Sequence, residues 1–253
     1  MSLMSSNGKY RLFREFAHRY DLHTPPGHYQ HDHAFVIGEA LRVAPANCRL
    51  LDVGCGTGVL LEAAIAAGID GRGIDTSPEM VEVARRRLGN DRVRIQGMQE
   101  IAEVNVYDVI TVISCTIHYC ESAAELDEVI SRCRNALRPN GLLVVQVMNE
   151  ELMTGAVNVD REPGPAGEPE DTFFIHRFRP LHDDDHCVIA DYVYASRAFR
   201  ELVSEEHELR FANAPLMVNA LRRAGLRKVD MINSSSISPF VLGKAGATPR
   251  QRL

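Results

Sequence analysis

The chain is short of several features that would otherwise set its class. No run of about eighteen or more apolar residues occurs, so a membrane-crossing helix is not expected. Twenty-eight Lys and Arg face 34 Asp and Glu, and no basic block stands out. That speaks against a surface that tracks nucleic-acid phosphates. No CxxC pair joins the cysteines, which are Cys48, Cys55, Cys115, Cys120, Cys133 and Cys187. Scattered thiols of this kind are expected to stay reduced, as in a cytoplasmic enzyme. Residues 1–8 have neither the charged nor the apolar region of a signal peptide and read as a loose tail. No internal repeat is visible.

What is present fits an α/β protein. The chain has 253 residues, 45% of them apolar, enough for one α/β domain with an insertion. Its central stretch is Leu50-Leu51-Asp52-Val53-Gly54-Cys55-Gly56-Thr57-Gly58, followed by Val59 to Ala64. An apolar strand runs into a glycine cluster and then into a helix. Glycines permit positive φ and close approach of a ligand, and the helix start offers free N–H groups. This is a nucleotide-type turn. It has neither the GxGxxG of dinucleotide enzymes nor the lysine of a P-loop. Asp75 ends the next strand, where a carboxylate accepts ribose hydroxyls.

Two helices precede this turn, over Lys9–Tyr20 and His31–Val43. After it, apolar strands alternate with helices: strands near 71–74, 92–96, 107–114 and 142–147, helices over 58–67, 77–88 and 123–137. The alternation predicts a doubly wound, mainly parallel sheet. Residues 155–171 read as a Gly/Pro-rich loop and 182–186 as a polar hairpin turn. Strands at 173–178, 187–195 and 199–211 read as antiparallel, a helix covers 215–224, and strands 229–232 and 240–242 close the fold. The expected organisation is a tail 1–8, a helical lid 9–44, a cofactor-binding core 45–150, a substrate cap 151–213, closing elements 214–243 and a tail 244–253.

Four stretches in order, LLDVGCGTG at 50–58, GIDTSPEMVEVAR at 73–85, YDVITVIS at 107–114 and LRPNGLLVV at 137–145, resemble the class I S-adenosylmethionine-dependent methyltransferases. The flanking regions are similar to small-molecule members, especially the sugar N,N-dimethyltransferases of antibiotic biosynthesis. The resemblance implies a seven-stranded Rossmann-like fold with an N-terminal helical lid and an antiparallel cap. It implies S-adenosyl-L-methionine as cofactor. Gly54, Cys55, Gly56 and Gly58 form the turn around its methionine part and ribose, with Cys55 a small filler. Asp52 orients the amino end, Asp75 holds the ribose, and Thr76 and Met80 flank the adenine. Met98 stands where an Asp is usual, and Gln99 supplies an amide in its place. Ser114 and Cys115 lie beneath the sulfonium, and Tyr20 covers it from the lid.

The acceptor side is less explicit. His118 is the candidate base or orienting group, and Tyr119 a catalytic group or a wall of the site. Tyr29 and His31 are the substrate candidates in a histidine-rich lid. The alternative for that lid is a solvated surface, and no metal is expected. Arg177 and Arg179 alternate on one strand face, aimed at an acidic substrate or at solvent. The expected function is methyl transfer to oxygen or nitrogen of a small, secondary-metabolite acceptor, by in-line displacement. The competing readings are a macromolecular acceptor, RNA or protein, and a non-catalytic cofactor-binding protein. The Asn-Pro-Pro-Tyr type of motif used for planar amines is missing. A homodimer stays open.

Overall fold

The computed structural model describes residues 9–24, 26–162, 172–181, 186–196, 200–233 and 238–246. In order these form α1 (Tyr20–His23), α2 (Gln30–Val43), β1 (Arg49–Val53), α3 (Val59–Ala66), β2 (Asp70–Asp75), α4 (Pro78–Leu88), β3 (Val93–Ile95), β4 (Tyr107–Val112), α5 (Ala123–Ala136) and β5 (Leu137–Gln146). There follow β6 (Asn158–Glu162), β7 (Thr172–Leu181), β8 (Cys187–Ser196), β9 (Glu201–Leu209), α6 (Ala214–Arg223), β10 (Arg227–Ile232) and β11 (Phe240–Lys244). The main sheet has seven strands in the order β10-β11-β5-β4-β1-β2-β3. β1 runs parallel to β2 and β4, and β4 to β5, whereas β11 is antiparallel to β5 and β10. This is a Rossmann-like α/β fold with an antiparallel cap, as the pattern of the sequence predicts.

The apolar strands are buried on both faces because side chains alternate across the sheet. Leu51, Ile110, Leu143 and Val145 face α5 and α6. Leu50, Val109, Leu142 and Val144 face α2, α3 and α4. α4 opens as its sequence predicts: the Ser77 hydroxyl accepts the Met80 N–H, with Pro78 in the first turn. β5 starts at Leu137, earlier than expected. A register shift between Tyr107 and Val109 absorbs Arg138 to Gly141, and Arg138 pairs with Asp108 at 3.0 Å.

Two expectations for the N-terminal part change. Lys9–Tyr20 is not one helix but short 3-10 turns, at Arg11–Phe13 and Ala17–Arg19, leading into α1. Its aromatic side chains fan out into two clusters under the cap, and that tertiary packing overrides the helical period. α2 is no lid. Its Val36 and Ala40 are fully buried in the core, and Phe35 stacks on Phe240 at 4.8 Å. The stretch before α2 covers the sheet's upper edge.

The cap is a second, four-stranded antiparallel sheet, β6-β7-β8-β9. Part of the expected 155–171 loop is β6, because its residues pair with β7 from Asn158↔His176 to Glu162↔Thr172. Residues 163–171, the turn residues 182–185, and the tails 1–8 and 247–253 lie outside the described residues. One cap face presents Phe174, His176, Phe178 and Tyr192 inward. The other carries Arg177 and Arg179, which both bind Asp191, at 2.7 and 2.6 Å. These arginines are therefore both engaged by one cap carboxylate.

Candidate active site

The carboxyl ends of β1 and β4, adjacent strands whose connections leave in opposite directions, form a crevice where α/β sheets bind ligands. At its first side lies the glycine turn. Gly54, Gly56 and Gly58 all have positive φ, at 71°, 52° and 83°. Their duties differ. A Cβ at Gly54 would sit 2.4 Å from Thr116 Cγ2, so this glycine admits the loop after β4. A Cβ at Gly58 would sit 2.8 Å from Leu88 Cδ1, so this glycine admits α4. A Cβ at Gly56 would meet nothing within 4 Å. Gly56 alone of the three faces open space. Accordingly Gly56→Ala is expected to weaken cofactor binding by about tenfold while leaving the melting temperature within a few degrees. Gly58→Ala is expected to lower stability by roughly 2 kcal/mol. Paired calorimetry and thermal melts check both.

Asp75 closes the turn from below. One carboxylate oxygen accepts the Gly56 N–H at 2.9 Å and the other the Ser77 N–H at 2.8 Å. A carboxylate has about four acceptor positions, so lone pairs remain for further donors. Burial pushes its pKa up, against those backbone donors. Asp52 is buried deeper, and burial lifts it to about 7, opposed by the Thr111 hydroxyl at 2.7 Å. Cys55 packs its sulfur against Gly73, where a Cβ would lie 2.6 Å away, in keeping with a filler.

The loop after β4 is strained. Ser114 and Cys115 are consecutive non-glycine residues in the left-handed region, with φ 53° and 67°. Gln146 at the end of β5 holds them. Its Oε1 accepts the Ser114 N–H at 3.0 Å, and its Nε2 donates to Asp32 of α2 at 2.7 Å. Neither Gln146 nor Asp32 is singled out by the sequence reading. Burial pushes the Cys115 thiol to about 12, so it stays protonated.

Two cavities flank this loop. The smaller, about 70 Å³, is walled by the turn through Asp52, Gly54, Cys55 and Gly56. The larger, about 290 Å³, lies under the cap. Tyr20, Thr24, Tyr29 and Ser114 border both, so the two meet at one partition. The N-terminal stretch roofs them and is fastened at each end. Asp21 accepts from the Thr57 hydroxyl at 2.7 Å and from Arg87 at 2.5 Å. On the cap side, Glu205 accepts the Arg11 and Leu12 N–H groups at 2.9 and 2.8 Å.

The residues singled out from sequence are thus partly gathered. Tyr20, Asp52, Gly54, Cys55, Gly56, Ser114, Cys115, Tyr29 and Tyr119 border one or both cavities. Gly58, Thr76, Met80, Met98 and Gln99 border neither. Asp75 meets them through Gly56. Gln99 folds back over Gly97, where a Cβ would lie 2.8 Å from its Oε1. His31 is exposed, because the helical period turns it away from the inward face that carries Tyr29 and Asp32.

His118 requires a correction. It is fully buried and borders neither cavity. Its Nε2 accepts the Met148 N–H at 2.8 Å, and its Nδ1 lies 2.8 Å from the Arg210 carbonyl. A ring acceptor on one side and a carbonyl on the other fix the Nδ1–H tautomer. Burial drives its pKa down to about 4. With both nitrogens engaged, it pins β5 to the end of β9 and cannot serve as the base.

A methyltransferase-domain family model matches residues 51–143, which span the glycine turn, Asp75 and the strained loop. Over these residues the chain is similar to the methyltransferase-domain family. The chain is similar to a ubiquinone biosynthesis O-methyltransferase of Xanthomonas axonopodis pv. citri, 32% identical over 114 residues, 43% of this chain and 46% of the relative. The chain thus matches about half the length of its curated relatives. Among solved structures it shares its fold with a sugar N-methyltransferase from Streptoalloteichus sp. ATCC 53650. That pair has TM-score 0.70 and 22% identity, over 86% of this chain and 88% of the other. It also shares it with an amino pentose methyltransferase from Micromonospora echinaspora, solved with S-adenosylmethionine bound. There the TM-score is 0.69 and the identity 20%, over 97% and 98% of the two chains.

The residues around the turn fit S-adenosylmethionine, the cofactor that the resemblance implies. Gly56 leaves space above its Cα, Asp75 keeps free lone pairs, and the Thr76 hydroxyl beside it is buried with no partner. Asp52, Gly54 and Gly56 would hold its methionine end and Asp75 with Thr76 its nucleoside. Among the described residues no helix is long and apolar enough to cross a membrane, and no three metal-ligating side chains come together.

Proposed function

We propose that this protein transfers a methyl group from S-adenosylmethionine to an oxygen or nitrogen of a small-molecule acceptor, of the kind made in secondary metabolism, by in-line displacement. The observation that carries the reading is the shared partition: a cofactor-sized turn cavity and a roofed aromatic cavity meet at Tyr20, Thr24, Tyr29 and Ser114. The cofactor supplies a methyl group activated on a cationic sulfur. The chain supplies alignment and dryness. Phe13, Phe174, Phe178 and Tyr192 give the larger cavity apolar walls that exclude water and seat a ring. Its volume of about 290 Å³ suits a small molecule.

Among the described residues no Lys or Arg borders that cavity, which disfavours a phosphate-bearing acceptor such as RNA. Both cavities are walled by one chain, so the reading needs no second copy. The reading also places the protein in the cytoplasm, in keeping with six free thiols.

Isothermal calorimetry with S-adenosylmethionine and S-adenosylhomocysteine tests the cofactor half, with micromolar binding of both expected. Methyl-labelled cofactor incubated with metabolite extract, total RNA and total protein tests the acceptor half. Label in the extract is expected. Absence of cofactor binding sinks the whole reading, and label confined to RNA or protein sinks the small-molecule part.

A further inference from the structure

A polar side chain reaches from the core to the wall between the two cavities. Gln146 ends β5, is buried, and borders the larger cavity. Both ends of its amide are used. Oε1 accepts the Ser114 N–H at 3.0 Å, and Nε2 donates to Asp32 Oδ2 at 2.7 Å. A backbone N–H can only donate and a carboxylate can only accept, so this amide has one orientation. A glutamate there would suit the first partner and repel the second. A methionine of similar length would suit neither.

Asp32 is a firm anchor. It stands four and eight residues before Val36 and Ala40, the fully buried residues of α2, so the three share one helix face. Val36 and Ala40 pack against the sheet beside Leu50, Val109 and Val144. At the other end is a loop that needs holding. Ser114 and Cys115 follow one another in the left-handed region, which non-glycine residues keep only where their surroundings force it. The position of this loop reaches the glycine turn directly. The next residue, Thr116, lies against Gly54, where a Cβ would be 2.4 Å from Thr116 Cγ2. Ser114 itself borders both cavities.

We propose that Gln146 is a positioning residue for S-adenosylmethionine, a clamp that holds the strained loop against the glycine turn from its anchor on α2. This rests on the methyl-transfer reading above and deepens it. Gln146 does not border the turn cavity, so it acts through the loop. With the amide in place, Ser114 keeps its φ of 53° and Thr116 stays seated on Gly54. The turn then keeps the shape that receives the methionine end. Without it, Ser114 and Cys115 relax toward ordinary backbone regions, and Thr116 shifts with them. The loss falls on cofactor affinity. Because Ser114 also walls the larger cavity, the same clamp fixes where the donor's cavity opens to the acceptor's.

The test is a double-mutant cycle on the full chain, read by calorimetry with S-adenosylhomocysteine. Gln146→Glu is expected to raise the dissociation constant about tenfold, because repulsion from Asp32 pulls the new carboxylate off Ser114. In an Asp32→Asn background the same substitution is expected to cost less than about threefold, since the asparagine amide turns to donate to the carboxylate. Gln146→Met removes both bonds and is expected to cost about tenfold in either background. Each ratio is taken within its own background, so the other contacts of Asp32 cancel. Titrations are run at a temperature where thermal melts show every variant to be folded. Hydrogen exchange of the cofactor-free protein gives a second readout. The Ser114 amide is expected to exchange about tenfold faster in Gln146→Glu and Gln146→Met, and to regain protection when Gln146→Glu is combined with Asp32→Asn.

A loss from Gln146→Glu that is equal in both backgrounds, or no loss from either substitution, overturns the clamp and leaves the methyl-transfer reading standing. Wild-type protein that binds neither S-adenosylmethionine nor S-adenosylhomocysteine overturns both.

Discussion

Asp75→Ala is expected to raise the dissociation constant for S-adenosylhomocysteine by more than about a hundredfold, roughly 3 kcal/mol. Two losses combine. The Gly56 and Ser77 N–H groups lose the carboxylate that orders the turn, at 2.9 and 2.8 Å. The ribose hydroxyls lose a charged acceptor, and hydrogen bonds to charged groups contribute about 1.5–3 kcal/mol each. Asp75→Asn separates the two. Its amide retains one acceptor oxygen, so the turn is partly held, and the weakening is expected to be about tenfold. Calorimetry on both variants, with circular dichroism to verify folding, decides the matter. Unchanged affinity in Asp75→Ala would remove this residue from the cofactor site.

His118→Ala is expected to strike stability and not chemistry. The Met148 N–H and the Arg210 carbonyl would be orphaned in the core, each costing about 1–3 kcal/mol. A loss of roughly 4 kcal/mol lowers the melting temperature by about 8–16 °C in a chain of this size. Activity per folded molecule is expected to persist. The same burial gives a pH signature. The His118 pKa falls from 6.5 to about 4 in the folded protein. Between those values the unfolded chain binds a proton that the folded chain does not, so stability rises with pH across this window and is flat above it. His118→Gln is expected to flatten part of that slope. Denaturant unfolding of both proteins from pH 4 to 8 measures it, and parallel curves would contradict the account.

The two predictions fall on different sides of what could be read from residues alone. Asp75 is legible because one local pattern carries it: an apolar strand that ends in an acid, before Ser77 and Pro78 open a helix. His118 is not. Its position after β4 points to the reaction centre, but a one-residue difference in a 3-10 turn decides which side chain enters the cavity. Tyr119 enters it, and its neighbour is turned into the core. Gln146 had a faint signal as the polar end of an apolar strand. That signal names no partner, because Ser114 and Asp32 are far away in sequence.

The sequence by itself determined the alternation of strands and helices and the glycine turn with its acid, the features on which the cofactor reading rests. Those features are local: period, capping and positive φ act within a few residues. Tertiary structure alone decided which glycine faces the ligand and that the N-terminal stretch roofs the site while α2 belongs to the core. It also decided that Tyr119, and not His118, borders the larger cavity. Each of these depends on side chains brought together from separate elements, and burial and hydrogen-bond direction are set only when those elements pack.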